Sequence, residues 1–278
     1  MKQRVISSIA GLIILAVVFV WFDTIILNIA AAIIIVIALY EMIAAAGKFK
    51  KPTSFFALLL GFAIPFFSTG LLDSIWALIY FLFSLVLVCI LIRYHEAIRV
   101  EQLSFVLFFT VLISFAITCF VYMRDVLGVV IGFYGVLVSL CGAWMSDTGA
   151  YFFGLAYGRH KLSPNISPKK TIEGFFGGIA VALISQIIIA FAYVQFCRYH
   201  MTPVEINYLR LILVSPLISI VGVIGDLSAS VIKRQFGIKD FSNIMPGHGG
   251  VLDRFDSVLL VAPFVYNLFL YFPLIIVK

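Results

Sequence analysis

The sequence predicts an all-α polytopic integral membrane protein with about nine transmembrane helices. Three observations predict it. Of 278 residues, 63% are hydrophobic and 12% charged, whereas a soluble domain carries about a quarter charged residues. Several apolar runs exceed the ~20 residues that cross a hydrocarbon core. The runs also lack the alternation of a membrane barrel, and backbone groups in lipid must be satisfied internally, so each run is expected to be a helix.

The first span, near 5–22, follows Lys2 and Arg4. No small-x-small cleavage site comes after it, because Trp21-Phe22-Asp23 follows, so it reads as an uncleaved span. Eight more spans lie near 24–46, 54–69, 72–92, 104–123, 127–157, 173–197, 208–232 and 256–277. The third is short and contains Pro65. The sixth is long and glycine-rich, and turns polar near Ser146. Glu41, near the inner end of the second span, reads as an interfacial group, with pairing to Lys48 as the alternative. Arg93 to Gln102 reads as an amphipathic surface connector.

Charge sets the orientation. With the N-terminus cytoplasmic and nine crossings, the C-terminus is outside, and 15 of the 19 Lys and Arg fall on the inside. The positive-inside rule supports that solution. The chain divides into N-terminal spans over 1–125 and a C-terminal region over 126–278. The latter carries two cytoplasmic polar loops, 158–172 and 233–255. The net charge of +6 forms no basic stripe, and no nucleic-acid-binding motif is present. Cys89, Cys119, Cys141 and Cys197 stand singly, without CxxC spacing. They read as small hydrophobes rather than a zinc site or disulfide framework.

Two polar constellations carry the chemistry. The first runs from Ser146-Asp147-Thr148-Gly149-Ala150-Tyr151 to Ser167-Pro168-Lys169-Lys170-Thr171-Ile172-Glu173-Gly174. Asp147, inside an apolar helix, must pair, bind a cation or be protonated. Ser167-Pro168 reads as a helix N-cap with proline at the first helical position. That would aim free N–H groups, with Lys169, Lys170 and Thr171, at an anion. The plainer alternative is a basic loop touching lipid headgroups, which suits Lys161.

The second constellation is Asp226 to Asp256, DLSASVIKRQFGIKDFSNIMPGHGGVLDRFD. Asp226, Ser230 and Lys233 fall on one helical face. Asp253 and Asp256 share a face if the last helix starts there. Three acids brought together cannot all stay ionised without compensation. A hard divalent cation supplies it, and all-oxygen ligands suit Mg²⁺. Lys233, Arg234, Lys239 and Arg254 would meet phosphates carried by such a metal. Gly247 to Gly250 would let backbone N–H groups approach an oxyanion. His248 is open between touching phosphate, acting as an acid and holding the loop. The plainer readings are an Asp253–Arg254 surface pair, a helix cap at Asp256 and a simple turn at Gly249-Gly250. Neither a P-loop nor a dinucleotide motif is present. The set favours nucleotidyl or phosphoryl transfer to an amphiphilic acceptor.

Ser230-x-Ile232-Lys233-Arg234-x4-Lys239-Asp240-x-Ser242-x2-Met245-Pro246-x-His248-Gly249-Gly250-Val251-x-Asp253-Arg254-Phe255-Asp256 resembles the signature of phosphatidate cytidylyltransferases, the CDP-diacylglycerol synthases. Met245 stands where Leu, Ile or Phe is expected. The upstream Ser-Asp-Thr-Gly-Ala-Tyr and Ser-Pro-Lys-Lys-Thr-Ile-Glu-Gly are similar to that family as well. The resemblance implies transfer of a cytidylyl group from CTP to phosphatidic acid, giving CDP-diacylglycerol and pyrophosphate for phospholipid biosynthesis. It implies Mg²⁺, with a monovalent cation such as K⁺. It makes Asp226, Asp253 and Asp256 the metal ligands, with Asp147 a further one, and Asp226, Lys233, Asp253 and Asp256 the catalytic set. Substrate contacts would be Ser230, Arg234, Lys239, His248, Gly249, Gly250 and Arg254, with Lys169, Lys170, Thr171 and Glu173. It further implies a homodimer among membrane lipids in a bacterial inner membrane, with the site facing the cytoplasm and no nucleic-acid partner. Two rivals are a CTP-dependent polyprenol or dolichol kinase, and an ion-coupled transporter using Asp147 and Asp226 as cation sites.

Overall fold

The computed structural model describes residues 2–47, 51–67, 76–247 and 249–277. Five helices are long and apolar enough to cross a membrane: α2 (Ile26–Ala45), α5 (Val100–Leu127), α6 (Val129–Tyr157), α7 (Ile172–Tyr199) and α8 (Tyr208–Gln235). Shorter apolar helices stand at the other expected spans: α1 (Lys2–Val20), α3 (Lys51–Ala63), α4 (Trp76–Arg93) and α10 (Val258–Tyr271). A single turn, α9 (Leu252–Phe255), precedes α10. The chain is a helical membrane protein. Its large exposed side chains, such as Leu12, Phe81, Phe108, Ile188 and Leu213, are those a lipid-facing surface carries.

Two compact units make up the chain. The first comprises Met1–Val121 with Phe236–Arg254, and the second Tyr122–Gln235 with Phe255–Lys278. The polar loop 236–254 lies in the first unit.

In the first unit, α2 packs on α3 and α3 on α4. Gly61 of α3 permits the closest approach: a Cβ there would lie 2.6 Å from Leu39 Cδ1 and 2.9 Å from Ile35 Cγ2. Pro65 ends α3, since a proline removes an intrahelical donor and clashes with the preceding turn. The chain tightens into a 3-10 turn at Ile64–Phe66, and Asn28 Nδ2 donates to the Pro65 carbonyl at 2.5 Å. Leu60, Ile64, Phe83, Leu87 and Leu103 form a buried cluster behind it.

In the second unit, α6 and α7 lie against each other over most of their length. Glycines allow this, as small residues do between membrane helices. A Cβ on Gly178 would lie 2.6 Å from the Ser146 carbonyl, and one on Gly174 2.6 Å from that of Ala150. Those contacts fix the stretch of α6 that carries Asp147.

Two expectations need correction here. Ser167-Pro168 does not open the seventh helix. Residues Ser167–Thr171 form strand β2, antiparallel to β1 (Lys161–Ser163), and α7 starts at Ile172. Thr171 is the actual N-cap: its Oγ1 accepts from Gly174 N at 3.1 Å. A two-stranded ribbon is all edge, and an edge strand accommodates a proline, so Pro168 sits in β2 without stopping it. Thr171→Ala should cost about 1 kcal/mol of stability through the lost cap, read as a lower melting temperature in detergent.

The last span is also not helical to its end. Helix α10 stops at Tyr271, ahead of Pro273, and β4 (Ile275–Val277) pairs antiparallel with β3 (Val204–Ile206). β-Branched Ile275, Ile276 and Val277 suit a strand. Asn207 N donates to the Leu274 carbonyl at 2.9 Å and Arg210 Nη1 to that of Pro273 at 2.8 Å, while the Arg210 guanidinium lies 4.6 Å from the centre of the Phe272 ring. The four cysteines are free, with Cys119, Cys141 and Cys197 buried and Cys89 exposed.

Candidate active site

The second unit gathers three of the predicted acids around two lysines. Asp226, Ser230 and Lys233 line one face of α8, as their spacing predicts, and Ser230 Oγ donates to Asp226 Oδ1 at 3.4 Å. Lys170, from β2, forms an ion pair with Asp226 Oδ2. Lys233 Nζ lies 3.9 Å from Asp256 Oδ2. Asp256 also accepts from the amide of Ser257 at 2.8 Å, and Ser257 Oγ donates to Asp147 Oδ2 at 3.1 Å. Glycine brings these parts together: a Cβ on Gly225 would stand 2.8 Å from the Asp256 carbonyl oxygen and 3.1 Å from Ser257 Cα. Helix α8 and the 256–257 turn therefore touch backbone to backbone.

Electrostatics follow from the count. Three carboxylates face two ammonium groups, with Asp256 and Lys233 both largely buried. Burial, then the neighbouring Asp226 and, less strongly, Asp147, push the Asp256 carboxyl above the ordinary carboxylate range, against the pull of Lys233. Such a set has an oxygen-only donor chemistry suited to Mg²⁺. Among the described residues, however, no three acidic, histidine or cysteine side chains stand at metal-ligating spacing. In this arrangement the lysines compensate the acids.

The hairpin beside this cluster is held by Glu173. Its carboxylate accepts from the amides of Arg159 at 3.0 Å and His160 at 3.2 Å, and pairs with His160 Nδ1 at 2.6 Å. Arg234 Nε donates to the Ile166 carbonyl at 3.4 Å, tying the end of α8 to the hairpin turn. Lys169 is exposed on β2. The Thr171 hydroxyl and the Glu173 carboxylate, both expected at a substrate, are thus used in shaping the chain.

In the first unit the signature loop closes on its own acids. Asp253 Oδ2 accepts from Phe241 N and Gly250 N, both at 2.9 Å. Glu41 accepts from Val251 N at 2.9 Å, Leu252 N at 2.7 Å and Ser242 Oγ at 2.5 Å. The glycine turn does bring backbone amides to oxyanions, but these oxyanions belong to Asp253 and Glu41. Gly247 and Gly249 adopt φ of +79° and +86°, where glycine is favoured. Lys239 and Arg254 are exposed. His248 and Lys48, the alternative partner of Glu41, lie outside the described residues.

Two residues escaped the sequence reading. Glu41 is 0% exposed and accepts from Ser242, Val251 and Leu252. The rule applied to Asp147, that an acid inside an apolar helix must find partners, would have found it. Ser257 carries no sequence signal, since a serine before a helix is ordinary.

The fold and the site define a helical membrane protein with a cluster of carboxylates from α6, α8 and the turn before α10, paired with lysines. The chain belongs to the cytidylyltransferase family, whose profile matches residues 2–272. It is 48% identical over 132 residues to the phosphatidate cytidylyltransferase of Staphylococcus haemolyticus, covering 48% of this chain and 47% of that one. It is 39% identical over 170 residues to that of Bacillus subtilis, covering 60% and 58%. It is 47% identical over 128 residues to that of Staphylococcus epidermidis, covering 46% of each. The matched part of the chain spans about half the length of these curated relatives.

Proposed function

We propose that the chain transfers the cytidylyl group of CTP to phosphatidic acid, releasing pyrophosphate and leaving CDP-diacylglycerol in the bilayer. The observation that carries this reading is the cluster of Asp147, Lys170, Asp226, Lys233 and Asp256 within one unit. The family membership and the names of the relatives point to the same reaction.

An oxygen of the phosphatidate phosphate attacks the α-phosphorus of CTP. The bond from that phosphorus to the bridging oxygen of the β-phosphate breaks, and pyrophosphate leaves with the electron pair. The nucleophile is already anionic near neutral pH, so no side chain needs to take a proton from it. Lys170 and Lys233 exchange their carboxylate partners for phosphate oxygens and stabilise charge there. Asp147, Asp226 and Asp256 would hold Mg²⁺ once the lysines release them, with K⁺ as a second cation. The metal, when bound, supplies Lewis-acid stabilisation of charge on the triphosphate. Asp253 orders the loop in front of Arg254. Ser230, Arg234, Lys239, His248, Gly249, Gly250, Arg254 and Lys169 are assigned to substrate by the signature alone.

The proposal includes nine spans, a cytoplasmic N-terminus, a homodimer and a bacterial inner membrane with the site on the cytoplasmic face. Pairing of β3 with β4 supports the topology, because it puts the α7–α8 connection and the chain end at the same end of the second unit. In detergent with phosphatidic acid and Mg²⁺, label at the α-phosphate of CTP is expected in the lipid phase, and label at the γ-phosphate in water as pyrophosphate. Label from the γ-position in lipid would instead establish a lipid kinase.

A further inference from the structure

Helix α2 carries a single acid, Glu41, in a run otherwise free of ionisable groups apart from Tyr40. A carboxylate at 0% exposure persists only where donors replace its water. Among the described residues, its three donors come from one loop about 200 residues further on. Ser242 Oγ and Val251 N reach Oε1, and Leu252 N reaches Oε2. Bonds to an ionised acceptor are about twice as strong as neutral ones. Gly250 makes the approach possible, because a Cβ there would lie 2.6 Å from Oε2 and 2.7 Å from Oε1. Glu41 fixes positions 242, 251 and 252 while Asp253 fixes 241 and 250, so the loop is tied at both ends.

We propose that Glu41 is a positioning residue for the signature loop. It holds residues 241–247 and 249–252 of the loop that carries Lys239 and Arg254 in their observed conformation, and it acts through the backbone without touching substrate. The inference rests on the proposed function for its ligand, and on the hydrogen bonds alone for its mechanics. Without the carboxylate the loop must be ordered by the substrate itself, and that ordering is subtracted from binding.

Glu41→Gln keeps the size of the side chain, but its NH₂ group faces a backbone donor, so at least one of the three bonds is lost. The expected result is a rise in the KM for CTP of about tenfold, the lower range for loss of an outer partner at a site. Hydrogen exchange at the amides of 250–252 should quicken in the same variant. Ser242→Ala, which leaves both amide bonds, should shift KM less than about threefold. Gly250→Ala, which drives a methyl group onto the carboxylate, should resemble Glu41→Gln and replaces it if that variant does not accumulate. A purely structural role would lower the yield of folded protein at unchanged KM and unchanged exchange in the folded fraction, and that result would overturn the proposal. If the unaltered protein transfers no cytidylyl label, the functional reading fails by itself. Exchange at 250–252 then still decides whether Glu41 fixes the loop.

Discussion

Asp256→Asn is expected to lower cytidylyl transfer by at least about a hundredfold, the scale of removing one preorganised charge-stabilising group. The same substitution should leave the melting temperature within a few degrees of the unaltered protein. The two outcomes separate because of the local charge count. Asp256 is buried beside Asp226 and Asp147, with Lys170 paired to Asp226 and Lys233 near Asp256. An asparagine keeps the shape and can still accept from Ser257 N, which lies 2.8 Å from Asp256 Oδ1. It brings the cluster to two acids and two lysines. The charge that is costly to bury in the resting protein is, in this account, the one the reaction needs. Rates from label transfer and a melting curve on the same preparation check both halves. Equal losses of rate and folded protein would mean that Asp256 is structural.

Gly225→Ala should be nearly as damaging, by a different route. A methyl group at Gly225 would meet the Asp256 carbonyl oxygen at 2.8 Å and Ser257 Cα at 3.1 Å, and backbone cannot move aside as a side chain does. Overpacking of this kind costs about 1–3 kcal/mol. It also drives the 256–257 turn from α8, separating Asp256 from Asp226. A displacement near ~1 Å at reacting groups can cost about a hundredfold in rate. Gly222, one turn earlier on α8, is the internal control. A Cβ there finds Val261 Cγ2 at 3.4 Å and Ser257 Cβ at 3.8 Å, ordinary contact distances. Gly222→Ala should therefore be near neutral, or stabilising by up to about 1 kcal/mol through helix propensity. If the two alanines behave alike, the close approach at Gly225 is not what assembles the site.

Much of the fold was legible because lipid leaves the backbone few choices. Among the described residues each expected span contains a helix, and the face shared by Asp226, Ser230 and Lys233 follows from helical period alone. What was illegible depended on partners far away in the chain. Ser167-Pro168 and Thr171-Ile172-Glu173-Gly174 are both acceptable helix starts locally. Pairing of Lys161 with Thr171 across the hairpin decided for the second. Ile275–Val277 is as apolar as any span, but Pro273 and the edge offered by Val204–Ile206 made it a strand. Gly250 stands against the Glu41 carboxylate, and nothing near it in sequence names Glu41 as that neighbour. The acids were identified as a group, yet Asp253 binds the amides of its own loop while Asp256 lies beside Asp226, Asp147 and Lys233.

The central claim is that Lys170 and Lys233, paired with Asp226 and Asp256, form the site of cytidylyl transfer. The most direct test compares Lys170→Met and Lys233→Met with Lys161→Met, a change to an exposed lysine of the same hairpin. The readout is transfer of α-labelled CTP into the phosphatidate phase at saturating Mg²⁺. The account predicts that the first two lose transfer by about a hundredfold or more and that the third stays close to the unaltered protein. Equal, mild losses for all three would mean that these lysines serve only as a basic surface near lipid headgroups, and would contradict the account.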